Sequence, residues 1–213
     1  MTARGVFITL EGIDGSGKSS QIRLLAEALR ARGREVVATR EPGGTPLGRQ
    51  LRSVFLETEE EVEPLAELLL FAADRAQHVK HLIEPALAAG KIVISDRYAD
   101  STEVYQGAGR GFPPELVAQV IQLATGGLKP DLTLLFDVEP EIGFARSRNR
   151  AESGAGHNRM DKEQALFYEK VRAAYFEIAK RELRYRVIDA NRSEAEIHAD
   201  TLRAVEEFLS KHV

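Results

Sequence analysis

The 213-residue chain contains no cysteine and no tryptophan. The first absence excludes disulfides, thiolate metal sites and a cysteine nucleophile. No apolar run is long enough to cross a bilayer, and the apolar part of the N-terminal MTARGVFITLEG is too short for a signal peptide. A cytoplasmic protein with no membrane partner is expected. A strong excess of either charge is also lacking. The net charge is −4 and the pI about 5.8, so no general nucleic-acid surface is expected and any basic site must be local. There is no Asn-Lys pair, which the guanine-reading motif of a regulatory GTPase would need. The five histidines, His78, His81, His157, His198 and His212, show no metal-ligand spacing and read as surface residues.

What is present is an alternation of two periodicities. VFITLEG (6–12), REVVATREP, KIVISDRY, LTLLFDV and YRVIDA read as buried strands, rich in β-branched residues. Helical spacing fills the gaps. Ile22, Leu25 and Leu29 share a face from Lys18 to Arg32, with Gly33 as a C-terminal cap. A long helix is expected from Pro64 to Ala89, broken near Pro85, after the solvated linker ETEEEVEP. Another is expected from Pro113 to Thr125, stopped by Gly126 and Gly127. Asp161 and Gln164 resemble a capping box for a helix through Leu183, with Phe167, Val171 and Ile178 inward. Ser193 and Glu196 resemble another for the last helix, with Ile197, Val205 and Phe208 inward. This pattern predicts the α/β class: one domain over residues 1–213, a five-stranded parallel sheet with helices on both faces.

EGIDGSGKSS carries the most specific local signal. Gly12, Ile13, Asp14, Gly15, Ser16, Gly17, Lys18 and Ser19 match G-x-x-x-x-G-K-[ST] at every fixed position, between a strand and a helix. Glycines let backbone N–H groups wrap phosphates, Lys18 reaches the β- and γ-phosphates, and the Ser19 hydroxyl is placed to hold Mg²⁺. The helix N-terminus then faces the anion. Ser20 follows directly and is counted with the loop among the expected ATP-binding residues. The metal needs an acidic partner, and two strands end in one, at Asp96 and Asp137. By analogy with the usual strand order of P-loop kinases the third strand lies beside the first. That favours Asp96 and leaves Asp137 to cap the following helix.

A chain acidic overall concentrates Arg146, Arg148, Arg150 and Arg159 around the glycine-rich ESGAGHN. A lid over about residues 146–160, closing arginines on phosphates, is the expected role. If the acceptor is a phosphate monoester, its second pKa of about 6 leaves it ionised at neutral pH, so no general base is needed. Cations and positioning then carry the chemistry.

Four further stretches, REPGGTPLG (40–48), LLLFAADRAQH (68–78), DRYADSTEVYQGAGRG (96–111) and PDLTLLFDV (130–138), resemble bacterial thymidylate kinase, a P-loop nucleoside monophosphate kinase family. The resemblance runs from the phosphate loop to IDAN near the C-terminus. It implies a P-loop NTPase-like fold with a small arginine-rich lid, and transfer of phosphate from ATP to dTMP with Mg²⁺. On this sequence it implies that Phe71 stacks on the thymine ring and that Arg75 hydrogen-bonds the base. Thr102 and Gln106 help read the base edge, and Tyr105 packs near the sugar. Asp14 faces the acceptor sugar, Arg97 lies between donor and acceptor phosphates, and Arg40 approaches the acceptor phosphate. Arg146, Arg150 and Arg159 serve the ATP phosphates, with Arg150 and Arg159 the leading catalytic candidates beside Lys18, Arg97 and Asp14. Asn191 and Arg192 lie near the adenine. A homodimer built from packed helices is implied as well. Some members carry an arginine where this loop has Gly15, and in members without it the lid supplies the catalytic arginine. The alternatives are a kinase for another deoxynucleotide or a nucleoside, and a P-loop protein that binds nucleotide without transferring phosphate.

Overall fold

The computed structural model describes residues 4–56, 58, 60–150 and 165–212. The strands are β1 (Phe7–Glu11), β2 (Val36–Arg40), β3 (Ile92–Asp96), β4 (Leu132–Asp137) and β5 (Tyr185–Asp189). They form one sheet in the order β2-β3-β1-β4-β5, and every neighbouring pair is parallel. Parallel strands covered on both faces require continuous apolar runs. FITLE of β1 is buried throughout, as is all of LTLLFD except its last residue. The edge strands are wetter: in β5, Arg186 and Val187 are exposed.

The helices are α1 (Lys18–Ala31), α2 (Pro46–Leu56), α3 (Pro64–His78), α4 (Glu84–Ala88), α5 (Ala99–Thr102), α6 (Pro114–Thr125), α7 (Pro140–Arg150), α8 (Ala165–Arg181) and α9 (Glu194–His212). Ile22, Leu25 and Leu29 of α1 join Ile8, Leu10, Ile94 and Leu134 of the sheet and Ile197, Val205 and Leu209 of α9 in the larger core cluster. Phe7 and Val93 belong instead to a smaller cluster with Val79, Ile83 and Leu87. Alternation along a strand sends neighbouring residues to opposite faces, so helices cover both.

Several details differ from the sequence reading. The predicted break at Pro85 is a wide π-helical turn, Val79–Ile83, running straight into α4. Pro85 follows that turn directly inside the continuous helix; its ring supplies no N–H, and the widened turn, in which Glu84 N–H reaches Val79 O, accommodates the missing bond. Helix α8 ends at Arg181 rather than Leu183, which is 95% exposed. Its inward face is Tyr168, Val171, Tyr175 and Ile178, with Phe167 only partly buried beside it. His78 is fully buried, against its reading as a surface residue: its Nδ1 lies 2.8 Å from Glu41 Oε1 and its Nε2 2.7 Å from Thr39 Oγ1. Asp137 does not cap α7, because Arg172 of α8 occupies both of its oxygens, at 2.6 and 2.9 Å. The capping box at Ser193 and Glu196 is present, with the Ser193 N–H donating to Glu196 at 3.1 Å. Gly33 ends α1 at φ 76°. The Asp161–Gln164 pair lies outside the described residues.

The strand order places the active crevice. From β1 the chain passes β3 to reach β2, returns through β3, and crosses to β4 on the other side. Loops leaving the carboxyl ends of β1 and its neighbours therefore diverge, and an open α/β sheet binds ligands in that gap.

Candidate active site

The loop from Gly12 to Gly17 joins the carboxyl end of β1 to α1. Gly17 caps the helix at φ 88°, a left-handed conformation that glycine takes without a Cβ clash. Lys18 Nζ folds back and donates to Gly12 O at 3.0 Å, Ile13 O at 2.8 Å and Ser16 Oγ at 3.1 Å. Burial, and then the charge of Arg97, push the Lys18 ammonium down to about 8. The charges of Asp96, Asp14 and Glu11 oppose this shift.

Ser19 Oγ donates to Asp96 Oδ2 at 2.8 Å. The contact follows from topology: β1 pairs with β3 in a register that sets Leu10 opposite Asp96, so the carboxylate lies at the mouth of the loop. A hydroxyl and a carboxylate are hard oxygen donors suited to Mg²⁺, which takes one or two protein ligands and completes its octahedron with water and phosphate. Among the described residues no group of three or more acidic or imidazole ligands gathers elsewhere.

Arg97 follows Asp96 and is the non-glycine residue with positive φ, 71°, among the described residues. Its Nη2 donates to Asp14 Oδ1 at 2.8 Å and to Tyr105 OH at 3.1 Å, and its guanidinium lies 4.9 Å from the Tyr105 ring centroid. Tyr168 of α8 donates to the other Asp14 oxygen at 3.2 Å. Burial opposes ionisation of Asp14, but the charges of Arg97 and Lys18 outweigh it and hold the carboxyl below its ordinary range. Arg40 ends β2 in register with Asp96. Arg52 of α2 joins this edge, its Nη1 donating to Pro42 O at 3.1 Å. Burial first, then the neighbouring Arg40 charge, lower the pKa of Arg52, with Arg97 adding to the effect. Arg40 and Arg97 thus both act on Arg52, with Asp96 and Asp14 opposing them, so the three arginines gather positive charge at one edge of the loop.

Arg75 on α3 is 2% exposed. It donates from Nε to Glu41 at 2.7 Å, from Nη1 to Thr102 Oγ1 at 2.8 Å and from Nη2 to Tyr98 O at 2.9 Å. A guanidinium carries five N–H groups, so donors remain after these three contacts. Phe71, one helical turn earlier on α3, is half-buried against the larger cluster. Gln106 donates from Nε2 to Glu67 at 2.9 Å. A carboxylate only accepts, so Glu67 settles which end of that amide is nitrogen and leaves Oε1 as an acceptor. Phe71, Arg75, Thr102, Tyr105 and Gln106 therefore share one neighbourhood across α3, α5 and the π-helical turn Glu103–Gly109.

A second neighbourhood lies beyond the loop. Arg146 Nη1 donates to Ala190 O at 2.7 Å, and Asn191 Oδ1 accepts the Glu139 N–H at 3.0 Å. Arg192 pairs with Asp200 and Asp189. The stem of the predicted lid and the turn after β5 are thus brought together. Arg150 ends α7, but its side chain lies outside the described residues, as does Arg159. Ser20 is half-buried in the first turn of α1.

Sequence reasoning missed Arg52, Glu41, Glu67, Tyr168 and Tyr175. Glu41 carried a readable signal, being the acidic residue inside the basic TREPGG turn. The tyrosines stand seven residues apart, two helical turns, which marks one face of α8 but not what that face meets.

Comparison with known proteins agrees with this geometry. A family model described as Thymidylate kinase matches residues 10–201. The chain belongs to the thymidylate kinase family. It is 50% identical to a thymidylate kinase of Desulfosudis oleivorans, over 94% of this chain and 96% of the relative. Identity is 45% to a thymidylate kinase of Halothermothrix orenii, over 98% and 100%. The crystal structure of thymidylate kinase from Ehrlichia chaffeensis superposes with a TM-score of 0.77 at 35% identity, covering 95% of this chain and 99% of that one. The kinase thus has the P-loop α/β fold expected from its sequence. No helix among its described residues is long and apolar enough to cross a membrane.

Proposed function

We propose that this enzyme transfers the γ-phosphoryl group of ATP directly to dTMP, giving ADP and dTDP for dTTP synthesis in the cytoplasm, with residues 1–213 acting as one kinase domain. The observation that carries the reading is the position of Arg97. Its guanidinium stands 2.8 Å from Asp14 inside the phosphate loop and shares an electrostatic neighbourhood with Arg40 and Arg52 on the other side. A cation in that place serves two anions at once, which is what in-line transfer between two phosphates needs.

The loop amides and Lys18 bind the donor phosphates, and Arg40, Arg52 and Arg97 seat the acceptor phosphate. Ser19 and Asp96 would hold Mg²⁺, which supplies charge neutralisation on the transferring oxygens. Asp14 orients Arg97 and faces the acceptor sugar, with Tyr105 beside it. Phe71 stacks on the base, while Arg75, Thr102 and the Gln106 carbonyl oxygen read its edge. Arg146 with Asn191 and Arg192 borders the adenine, and the lid arginines 150 and 159 complete the charge cage. No side chain need act as base, because the acceptor is already an oxyanion.

A homodimer accompanies this reading. Leu65 and Leu69 of α3 are 53% and 52% exposed, and Leu123 of the adjoining α6 is 84% exposed, an apolar surface suited to a second copy of the chain. ADP release measured across nucleoside monophosphates and nucleosides tests the substrate assignment. Turnover confined to dTMP and its close analogues is expected, and silence with dTMP against turnover of another acceptor overturns it.

A further inference from the structure

Glu11, the last residue of β1, is completely buried and makes no ion pair among the described residues. Its Oε1 accepts the Tyr98 N–H at 2.8 Å. Its Oε2 accepts the Ser101 hydroxyl at 2.6 Å and the Tyr175 hydroxyl at 2.8 Å. Those two hydroxyls also face Arg97, whose Nη1 lies 3.2 Å from Ser101 Oγ and 3.4 Å from Tyr175 OH. Two hydroxyls thus stand between a buried carboxylate and the guanidinium on which the proposed transfer depends.

We propose that Glu11 is a positioning residue for Arg97, acting through the hydrogen-bond polarity of Ser101 and Tyr175. Burial, and then the charge of Asp100, raise the pKa of the Glu11 carboxyl to about 7; above that pH it is a carboxylate that can only accept, while each hydroxyl has one proton to give. In the ionised form Glu11 Oε2 takes a proton from each hydroxyl; the two hydroxyl oxygens, 3.0 Å apart, then turn lone pairs toward Arg97. The guanidinium has only protons to offer, so this polarity fits it. The backbone is held by the same residue. Arg97 sits at φ 71°, with its N–H on Leu10 O at 3.0 Å, its carbonyl accepting Ser95 Oγ at 2.8 Å and the next N–H, that of Tyr98, on Glu11. The left-handed turn that aims Arg97 into the loop is thereby fixed from both sides.

This inference rests on the proposed role of Arg97, and the two can fail separately. The informative change is Glu11→Gln, which keeps the shape and reverses one hydrogen-bond sense. Its amide nitrogen must face either the Tyr98 N–H, donor against donor, or the two hydroxyls, driving their protons toward Arg97. The experiment is a double-mutant cycle of Glu11→Gln with Arg97→Ala at a pH above about 7, where Glu11 is ionised, reading kcat, KM for ATP, KM for dTMP and melting temperature. The expected result is a kcat loss of about tenfold or more for Glu11→Gln, with KM for ATP within about twofold and the melting transition retained. In the Arg97→Ala background the same change then alters kcat by less than about twofold. Equal losses in both backgrounds, or an unchanged kcat in Glu11→Gln while Arg97→Ala is impaired, overturn the positioning role alone. A wild-type kcat in Arg97→Ala overturns the reading beneath it as well. Should Glu11→Gln not fold, Tyr175→Phe carries the same cycle: non-additivity with Arg97→Ala is expected, and additivity rejects the inference.

Discussion

Gly15 of the phosphate loop and Gly143 of α7 meet backbone to backbone: a Cβ built on Gly15 would lie 2.0 Å from Gly143 O, and one built on Gly143 would lie 2.8 Å from Asp14 O. The Gly12–Gly17 loop and helix α7 are therefore fitted through a pair of absent side chains. The φ of Gly15, 76°, adds strain for any L residue placed there. A longer side chain at this position would meet α7. There is no room for its stem while α7 is docked.

Gly15→Ala should accordingly displace α7 and cost roughly 1–3 kcal/mol of stability. Gly15→Arg should do the same and fail to replace a lid arginine. Thermal unfolding together with kcat/KM for ATP checks both; a Gly15→Ala enzyme with wild-type values in each would show that the contact is not maintained in solution.

Lys18 should impose an upper limit on the working pH. Its folded-state pKa is lowered to about 8 by burial and by Arg97. The cationic form therefore dominates below that pH and is lost above it. Since kcat/KM reports the free enzyme, kcat/KM for ATP is expected to fall as pH rises through about 8. A flat profile to pH 9.5, roughly midway to the ordinary lysine value, would remove Lys18 from that role.

Arg52→Ala should raise KM for dTMP about tenfold or more while KM for ATP changes little, because Arg52 lies on the Arg40 edge of the site. Arg52→Lys should recover only part of the loss, a point charge lacking the planar fork. Initial-rate kinetics with each substrate varied in turn distinguishes this from a general loss of fold.

Arg75→Ala should be a stability mutation before it is a specificity mutation. Glu41 would remain buried, with the Arg75 charge that largely offsets its burial removed. Breaking a buried pair this way costs about 3–5 kcal/mol. Urea unfolding should show it, and Glu41→Gln combined with Arg75→Met should recover part of the stability. A denaturation midpoint within error of wild type for Arg75→Ala would contradict the buried pairing.

Much of the fold was legible because its signals are local. A buried parallel strand is mostly apolar, as FITLE and LTLLFD are apart from Thr9, Glu11, Thr133 and Asp137. A phosphate loop must have glycine where φ is positive, as at Gly12, Gly15 and Gly17. Asp96 was favoured over Asp137 from an assumed strand order, and the order β2-β3-β1-β4-β5 sets it against Ser19. Asp137 was misread because its partner, Arg172, lies 35 residues away on a helix whose orientation no spacing reports. His78 was misread for the same reason, since Glu41 reaches it across 37 residues.

By itself, then, the sequence determined the strands, the phosphate loop and, through its family motifs, the chemistry to expect. Periodicity and glycine placement are properties of neighbouring residues and need no third dimension. Only the tertiary structure decided that Arg52 joins Arg40 and Arg97, that Glu67 orients Gln106, and that Glu11 sits behind Arg97 through two hydroxyls. Each of these depends on which side chains are excluded from water together. Burial turns a carboxylate, an amide or a tyrosine from an ordinary surface group into one whose partners must be satisfied inside the protein.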